Sequence, residues 1–162
     1  MCIRDSLEEG LEKYPNSQPL LNNLSSLALS DNNYILAKET IEKSLELNNK
    51  SPNALLNYGS LYFYENNNKK AFEYFHKSLK IKRDPGTYLM LGQYYKANNK
   101  LEDARNSFLK AIELDEYSPA YYPLTEVISL KDNDPIVSKI KSLSLDKLSL
   151  IHISEPTRPR SI

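Results

Sequence analysis

The sequence predicts an all-α fold built from consecutive pairs of helices. The first observation is an internal period, because Gly59 and Gly92 are 33 residues apart and so are Ala71 and Ala104. The second is that apolar residues recur at spacings of three and four, which is typical of amphipathic helices. The third is that asparagine-rich turns and prolines recur at fixed places. A period of this length with two helices predicts an array of helical hairpins.

The first helix of each period carries one apolar stripe. A proline opens the second, third and fourth periods and follows a residue suited to be an N-cap. These pairs are Ser51-Pro52, Asp84-Pro85 and Ser118-Pro119. The three stripes are Leu20, Leu21, Leu24, Leu27 and Ala28; Ala54, Leu55, Tyr58, Leu61 and Tyr62; and Tyr88, Leu91, Gly92 and Tyr95.

The second helix of each period follows a turn rich in asparagine, which tolerates the left-handed conformation that ends a helix. The turns are Asp31-Asn32-Asn33, Glu65-Asn66-Asn67-Asn68 and Asn98-Asn99-Lys100. The stripes of the second helices are Ala37, Ile41 and Leu45; Ala71, Phe75 and Leu79; and Ala104, Phe108 and Ile112.

Small residues recur where the two helices of a pair face each other. Ser25, Gly59 and Gly92 lie on the inner face of the first helices. A glycine inside a helix costs about 0.5–1 kcal/mol relative to alanine. We therefore expect close packing against large aromatic side chains to offset that cost.

This pattern resembles the tetratricopeptide repeat. The positions that follow the family spacing are Leu55, Tyr58-Gly59, Tyr62, Ala71, Phe75 and Ser78, then Tyr88, Leu91-Gly92, Tyr95, Ala104, Phe108 and Ala111. A weaker copy has Leu21, Leu24-Ser25, Ala28, Ala37, Ile41 and Ser44. The resemblance implies a right-handed α-solenoid in which each repeat contacts only its neighbours.

The two ends of the chain are predicted to be foreign sequence. Residues 1–6 and Leu148–Ile153 can be encoded by DNA strings that are reverse complements of each other, and they resemble a transposase mosaic end used in sequencing libraries. The expected organisation is a tail (1–6), the closing helix of a truncated repeat (7–17), three repeats (18–51, 52–84 and 85–118), a divergent or capping helix pair (119–147) and a second tail (148–162). The expectation is therefore a fragment of a longer protein from an AT-rich, bacterial source.

In tetratricopeptide repeats the first helices line a concave groove, so the resemblance implies which residues face a peptide. These residues are Asn22, Ser26, Asn53, Leu56, Asn57, Ser60, Phe63, Tyr64, Leu89, Gln93 and Lys96. Most are uncharged, which would suit an extended or helical peptide. The same residues are equally compatible with the solvated side of amphipathic helices.

Some family members bind acidic C-terminal peptides through a clamp of lysines, arginine and asparagines. Asn57 matches one clamp asparagine, but Asn22, Gly86 and Met90 occupy the positions of the basic residues. We therefore expect no binding of that type.

The sequence shows no motif for catalysis, a metal or a cofactor. His76 is the only histidine between the predicted tails, and a lone histidine without cysteine ligands or paired carboxylates is a poor catalyst or metal ligand. The formal net charge of zero gives no electrostatic footprint for nucleic acid, and no apolar stretch is long enough for a membrane span. The compartment is not indicated, with cytoplasm as the default.

Three functions remain open from the sequence. The first is a non-catalytic scaffold that binds a peptide or protein in its groove. The second is the repeat arm of a larger enzyme, because residues 132–140 resemble the segment that closes the array in bacterial proteins with a downstream sulfotransferase domain. The third is a spacer within a longer array.

Overall fold

The computed structural model describes residues 3–127 of the 162-residue chain. Within this range the secondary structure consists of helices and contains no strand. The helices are α1 (Ile3–Lys13), α2 (Gln18–Ser30), α3 (Tyr34–Leu47), α4 (Pro52–Tyr64), α5 (Asn68–Ile81), α6 (Pro85–Ala97), α7 (Leu101–Leu114) and α8 (Tyr121–Val127).

The helices pack as a linear array of hairpins. The most extensive contacts join α2 to α3, α4 to α5 and α6 to α7, and each hairpin also contacts the next. The first helices α2, α4 and α6 lie side by side, because α4 contacts both of the others. Every substantial contact in residues 3–127 therefore joins adjacent or next-but-one helices, which confirms the predicted solenoid.

The three hairpin turns have the same backbone geometry. Asn32, Asn66 and Asn99 have φ values of 57°, 58° and 56°, so each occupies the left-handed region as the asparagine pattern predicted. The residue after each asparagine donates its backbone N–H to a carbonyl oxygen in the last turn of the preceding helix, five residues earlier in the chain, as in a Schellman motif. These N–H to O bonds are Asn33 to Ala28 (2.8 Å), Asn67 to Tyr62 (2.8 Å) and Lys100 to Tyr95 (2.9 Å).

The starts of α4 and α6 confirm the predicted caps. The Ser51 hydroxyl accepts a hydrogen bond from the Ala54 N–H at 3.4 Å, and the Asp84 carboxylate accepts one from the Thr87 N–H at 2.9 Å. Proline at the first position of each helix leaves no unsatisfied N–H there. The short turns between repeats are thus fixed by local chemistry.

Glycine and phenylalanine hold the second and third hairpins together. A Cβ built on Gly59 would lie 2.6 Å from Phe75 Cδ1, and one on Gly92 would lie 2.4 Å from Phe108 Cε1. Both phenylalanines are fully buried. The small-residue prediction is therefore confirmed, because only a residue without a side chain allows these rings to contact the opposite helix.

The ends of the described range differ from the predicted helices. Helix α1 begins at Ile3 rather than Leu7, so four residues assigned to the first tail continue the helix. Helix α8 begins at Tyr121, two residues after Pro119, because Pro119 lies in a turn. The second helix of the predicted capping pair, the sulfotransferase-like segment 132–140 and the tail 148–162 lie outside the described residues.

Candidate functional site

The first-helix surface, formed by α2, α4 and α6, contains the residues predicted to face a peptide. Their exposure divides them into two groups. Asn22, Asn57 and Ser60 are buried, with 8%, 8% and 5% of their surface exposed. The others are exposed or half-buried, namely Ser26, Asn53, Leu56, Phe63, Tyr64, Leu89, Gln93 and Lys96.

The buried amides form a polar join between α2, α3 and α4. The Asn57 side-chain amide donates to the Ser25 hydroxyl at 2.7 Å and to the Asn22 carbonyl oxygen at 3.0 Å. The Ser44 hydroxyl donates to Asn22 Oδ1 at 2.8 Å. Because these groups already satisfy one another, Asn22 and Asn57 hold neighbouring helices together in the free chain. Ser60 likewise donates to the Leu56 carbonyl oxygen of its own helix, at 3.0 Å.

An amide-lined crevice lies at the end of this surface where α2 and α4 begin. Its volume is about 300 Å³. It is lined by Gln18, Pro19, Asn22, Asn23, Asn48, Ser51, Pro52, Asn53 and Lys82. Side-chain amides offer both donors and acceptors, so this crevice can pair with the groups of a peptide backbone.

An aromatic band lies near the other end, where the first helices finish and the second helices begin. We define the band as Tyr34, Phe63, Tyr64, Phe72 and Tyr94. Tyr34 and Tyr64 stack with ring centroids 6.1 Å apart, and Phe63 lies 5.8 Å from Tyr64 and 6.3 Å from Tyr94. Phe72 continues the band, 5.6 Å from Tyr94. Tyr64 and Phe72 are 44% and 37% exposed, so the band presents aromatic faces to solvent.

Burial and the neighbouring Tyr34 raise the pKa of the Tyr64 phenol above its ordinary value of 10.0. The hydroxyl therefore remains protonated at neutral pH and can donate a hydrogen bond. Together with the ring, it supplies an apolar face and one polar contact, a combination found often in binding surfaces.

The remaining predicted residues connect the two ends. Leu56 and Phe63 pack against the buried cluster of Ala71, Phe75 and Leu91. Lys96 is the one basic residue among the predicted groove residues. It forms an ion pair with Glu126 on α8, which balances its charge. The first-helix surface is accordingly apolar and amide-rich rather than charged.

Sequence reasoning missed Tyr34, Phe72 and Tyr94 because it considered only one face of the first helices. Tyr34 and Phe72 belong to the second helices, but Tyr34 is the first residue of α3 and Phe72 is the fifth residue of α5. The available signal was that aromatic residues occur on both sides of the asparagine turns.

His76 contacts the aromatic band through the Phe72 ring. Its ring lies 4.3 Å from the Phe72 ring, and no group of three or more potential metal ligands occurs in residues 3–127. Burial and the nearby Lys80 charge lower the pKa of His76, so the imidazole is neutral at pH 7. None of the helices between residues 3 and 127 has the length and apolar character to cross a bilayer.

The tetratricopeptide repeat family model matches three consecutive segments, residues 19–51, 52–85 and 85–117. These segments cover more than half of the chain. The chain belongs to the tetratricopeptide repeat family. Repeats of this family typically mediate protein–protein interaction, and most members are non-catalytic scaffolds. A search of the curated proteins finds no significant match.

Solved tetratricopeptide repeat structures resemble the chain at low sequence identity. MamA is 19% identical, with 96% of this chain and 87% of MamA covered and a TM-score of 0.62. The first repeat domain of human RPAP3 is 20% identical, with 79% and 98% covered and a TM-score of 0.61. Pseudomonas aeruginosa pilF is 22% identical over 76% of this chain, with a TM-score of 0.63, and the chain spans about half (53%) of its length. At these identities the similarity establishes the fold alone.

A further solved structure, of the first repeat domain of Spaghetti (RPAP3), contains a peptide ligand. The first repeat domain of RPAP3, in the structure bound to an HSP90 peptide of sequence SRMEEVD, is 20% identical to this chain. The alignment covers 68% of this chain and 89% of the RPAP3 chain, with a TM-score of 0.58.

Proposed function

We propose that this chain is a non-catalytic interaction module that binds a peptide segment of a partner protein on its first-helix surface. The observation that carries the proposal is the arrangement of this surface, with the amide-lined crevice at one end and the aromatic band near the other. A surface of this kind can hold a peptide backbone through amides and its side chains through rings.

The aromatic band supports an apolar or aromatic anchor in the ligand. Tyrosine and phenylalanine offer large contact areas and lose little conformational entropy on binding, because each has only two side-chain torsions. Tyr34 and Phe63 contact Tyr64 on two sides and limit its motion before a ligand arrives. A preorganised ring costs less to order on binding than a mobile one.

The charges of the surface argue against an acidic C-terminal tail as the ligand. Lys96 is paired with Glu126, and Asn57 is engaged with Ser25 and Asn22. Gly86 and Met90 occupy two of the basic positions of the family's clamp. The favoured ligand is therefore an uncharged or weakly charged segment with aromatic or aliphatic side chains.

Peptide selection on the full chain tests this proposal. Random 12-residue peptides displayed on phage should yield binders rich in aromatic and aliphatic residues. Tyr64→Ala should weaken them at least about tenfold, since truncating a central interface residue costs about 2 kcal/mol or more. Tyr117→Ala is the matched control, because Tyr117 is 81% exposed and lies outside the band.

Two results would contradict the proposal. One is that the selected peptides bind the wild type, Tyr64→Ala and Tyr117→Ala equally well. The other is that the peptide SRMEEVD binds more tightly than the selected ones, since Lys96 is already paired with Glu126 and the amide-lined crevice adds a single lysine, Lys82, for its carboxylates. Circular dichroism of each variant checks that the helices are retained.

A further inference from the structure

A second concave feature lies between two second helices and shares no residue with the predicted peptide groove. It is a crevice of about 520 Å³ formed by α3, α4 and α5 and the turn after α3. We call it the second-helix crevice. Its lining residues are Leu45, Asn49, Lys50, Leu55, Tyr74, Lys77, Lys80 and Ile81. Its volume lies within the range of about 300–1,000 Å³ that is usual for ligand sites.

The floor and one wall of the second-helix crevice are apolar. Leu55 is 5% exposed and Leu45 is half-buried, whereas Ile81, the last residue of α5, keeps 46% of its surface exposed. Tyr74 adds an aromatic wall and is fixed by Tyr58 and Tyr62, with ring centroids 4.8 and 5.5 Å away. An apolar side chain entering this crevice would remove both itself and Ile81 from water.

The rim of the second-helix crevice is basic. Lys77 is bound to the Glu73 carboxylate at 2.7 Å and lies 4.6 Å from the Tyr74 ring centroid, so its charge is largely used within α5. Lys50 and Lys80 form no ion pair within residues 3–127. None of the crevice-lining residues in this range is acidic. The crevice therefore combines an apolar floor with two lysines that have no ion-pair partner among the described residues, and Lys80, in the last turn of α5, also borders a neighbouring crevice that contains Asp103.

We propose that the second-helix crevice is a binding site for a short acidic peptide segment that carries an aliphatic or aromatic anchor side chain. The anchor fills the space between Leu55 and Ile81, and flanking carboxylates pair with Lys50 and Lys80. This site is separate from the first-helix surface, so the proposal goes beyond the proposed function. It would let one array hold two segments of different chemistry.

A peptide fits the second-helix crevice better than an anionic membrane does. Electrostatic binding to acidic lipid needs a cluster of about four to eight basic residues, and only two unpaired lysines border this crevice. The chain also has a formal net charge of zero, so no overall field draws it to a negative surface. The concave apolar floor instead suits a single inserted side chain.

Fluorescence anisotropy on the full chain tests the site with the labelled peptide Asp-Glu-Leu-Phe-Glu-Asp as the probe. The double variant Lys50→Glu/Lys80→Glu should weaken binding at least about tenfold, because each new carboxylate repels the peptide. Lys50→Arg/Lys80→Arg should bind within about twofold of the wild type, because both charges are kept. Ile81→Ser should weaken binding several-fold.

The matched control is Lys69→Glu/Lys100→Glu, which makes the same change in net charge. Lys69 lies in the first turn of α5, and Lys100 directly precedes α7, so neither lines the crevice. This variant and Tyr64→Ala should bind the probe like the wild type. A Tyr64→Ala variant that loses the probe would place the peptide on the first-helix surface and overturn the proposal.

Three further outcomes would also overturn the proposal. One is equal weakening by the two lysine-to-glutamate double variants, which would indicate a nonspecific charge effect. Another is equal binding of Asn-Gln-Leu-Phe-Gln-Asn, which lacks the side-chain carboxylates. The last is that the chain binds phosphatidylserine vesicles through Lys50 and Lys80 but does not bind the peptide.

Discussion

The α2–α4 contact and the α4–α6 contact join equivalent helices by different means. Between α2 and α4 the join is polar, because Asn57 donates to Ser25 and to the Asn22 carbonyl oxygen. Between α4 and α6 the position one period after Asn57 is Met90, which packs against the apolar cluster around Phe75. The same arrangement of helices is therefore reached with hydrogen bonds in one place and with apolar burial in the next.

The first and second hairpins also differ, because one contains a polar small residue and the other contains glycine packed against a ring. Ser25 and Ile41 in the first hairpin occupy the positions that Gly59 and Phe75 occupy in the second. The serine carries the hydroxyl that receives the Asn57 amide, whereas glycine makes room for a ring. A small residue at this position can therefore either make room for a large neighbouring side chain or serve as a hydrogen-bond partner.

The largest effect is expected where the aromatic packing is closest. Gly92→Ala should destabilise the chain by about 1–3 kcal/mol, since the new methyl group meets the Phe108 ring and overpacking exceeds the gain in helix propensity. Gly10→Ala is the matched control, because its Cβ would meet only the flexible end of Leu20, at 3.0 Å. Urea unfolding followed by circular dichroism measures both changes.

The residue pair of the first hairpin provides a second test of the contact between Gly92 and Phe108. Gly92→Ser/Phe108→Ile copies the Ser25 and Ile41 pair into the third hairpin. The double variant should lose less stability than the sum of the two single variants, because the smaller side chain leaves space for the serine. Simple additivity would mean that Gly92 does not serve to admit Phe108.

A smaller effect is expected for the polar join. A double-mutant cycle of Asn57→Ala and Ser25→Ala should give a coupling energy of about 1 kcal/mol, because either single change removes the buried hydrogen bond between the two side chains. The single change Asn57→Ala should cost more than Asn53→Ala, since Asn53 is exposed. A coupling energy near zero in urea unfolding would show that the join adds no stability.

The smallest effect is expected from His76, which belongs to the second repeat alone. Its lowered pKa means that the folded chain favours the neutral ring, so this contribution to stability is present above the ordinary value of 6.5 and is lost as the pH falls below it. His76→Gln should therefore lose less stability than the wild type between about pH 7.5 and pH 5.5. Urea unfolding at both pH values measures the difference, and carboxylate titrations common to both proteins cancel. An identical pH dependence would contradict the assignment.

The candidate site was only partly predictable from the sequence. Phe63 and Tyr64 were predicted to face a peptide because they lie on the first helix; the structure leaves Phe63 half-buried and Tyr64 exposed, and their part in binding stays a prediction. Tyr34 and Phe72 were missed because a helical stripe gives no information on rings that a neighbouring helix brings across a turn. Their contacts depend on how far one helix is shifted along its axis relative to the neighbouring helix, and the spacing of apolar residues does not specify this shift.

The helices, the turns and the packing within each hairpin follow from the amino-acid sequence alone. These features are local, because a stripe of period 3.6, an asparagine with positive φ and a glycine facing a phenylalanine act within about one repeat length. Which polar side chains of the first helices are buried and which stay exposed depends on how neighbouring repeats pack. Asn57 and Ser25 are 32 residues apart, and their bond forms only once α2 and α4 lie side by side. Burial depends on the neighbouring repeat as well as on the residue's own helix, so residues of equal polarity became part of the core or of the surface.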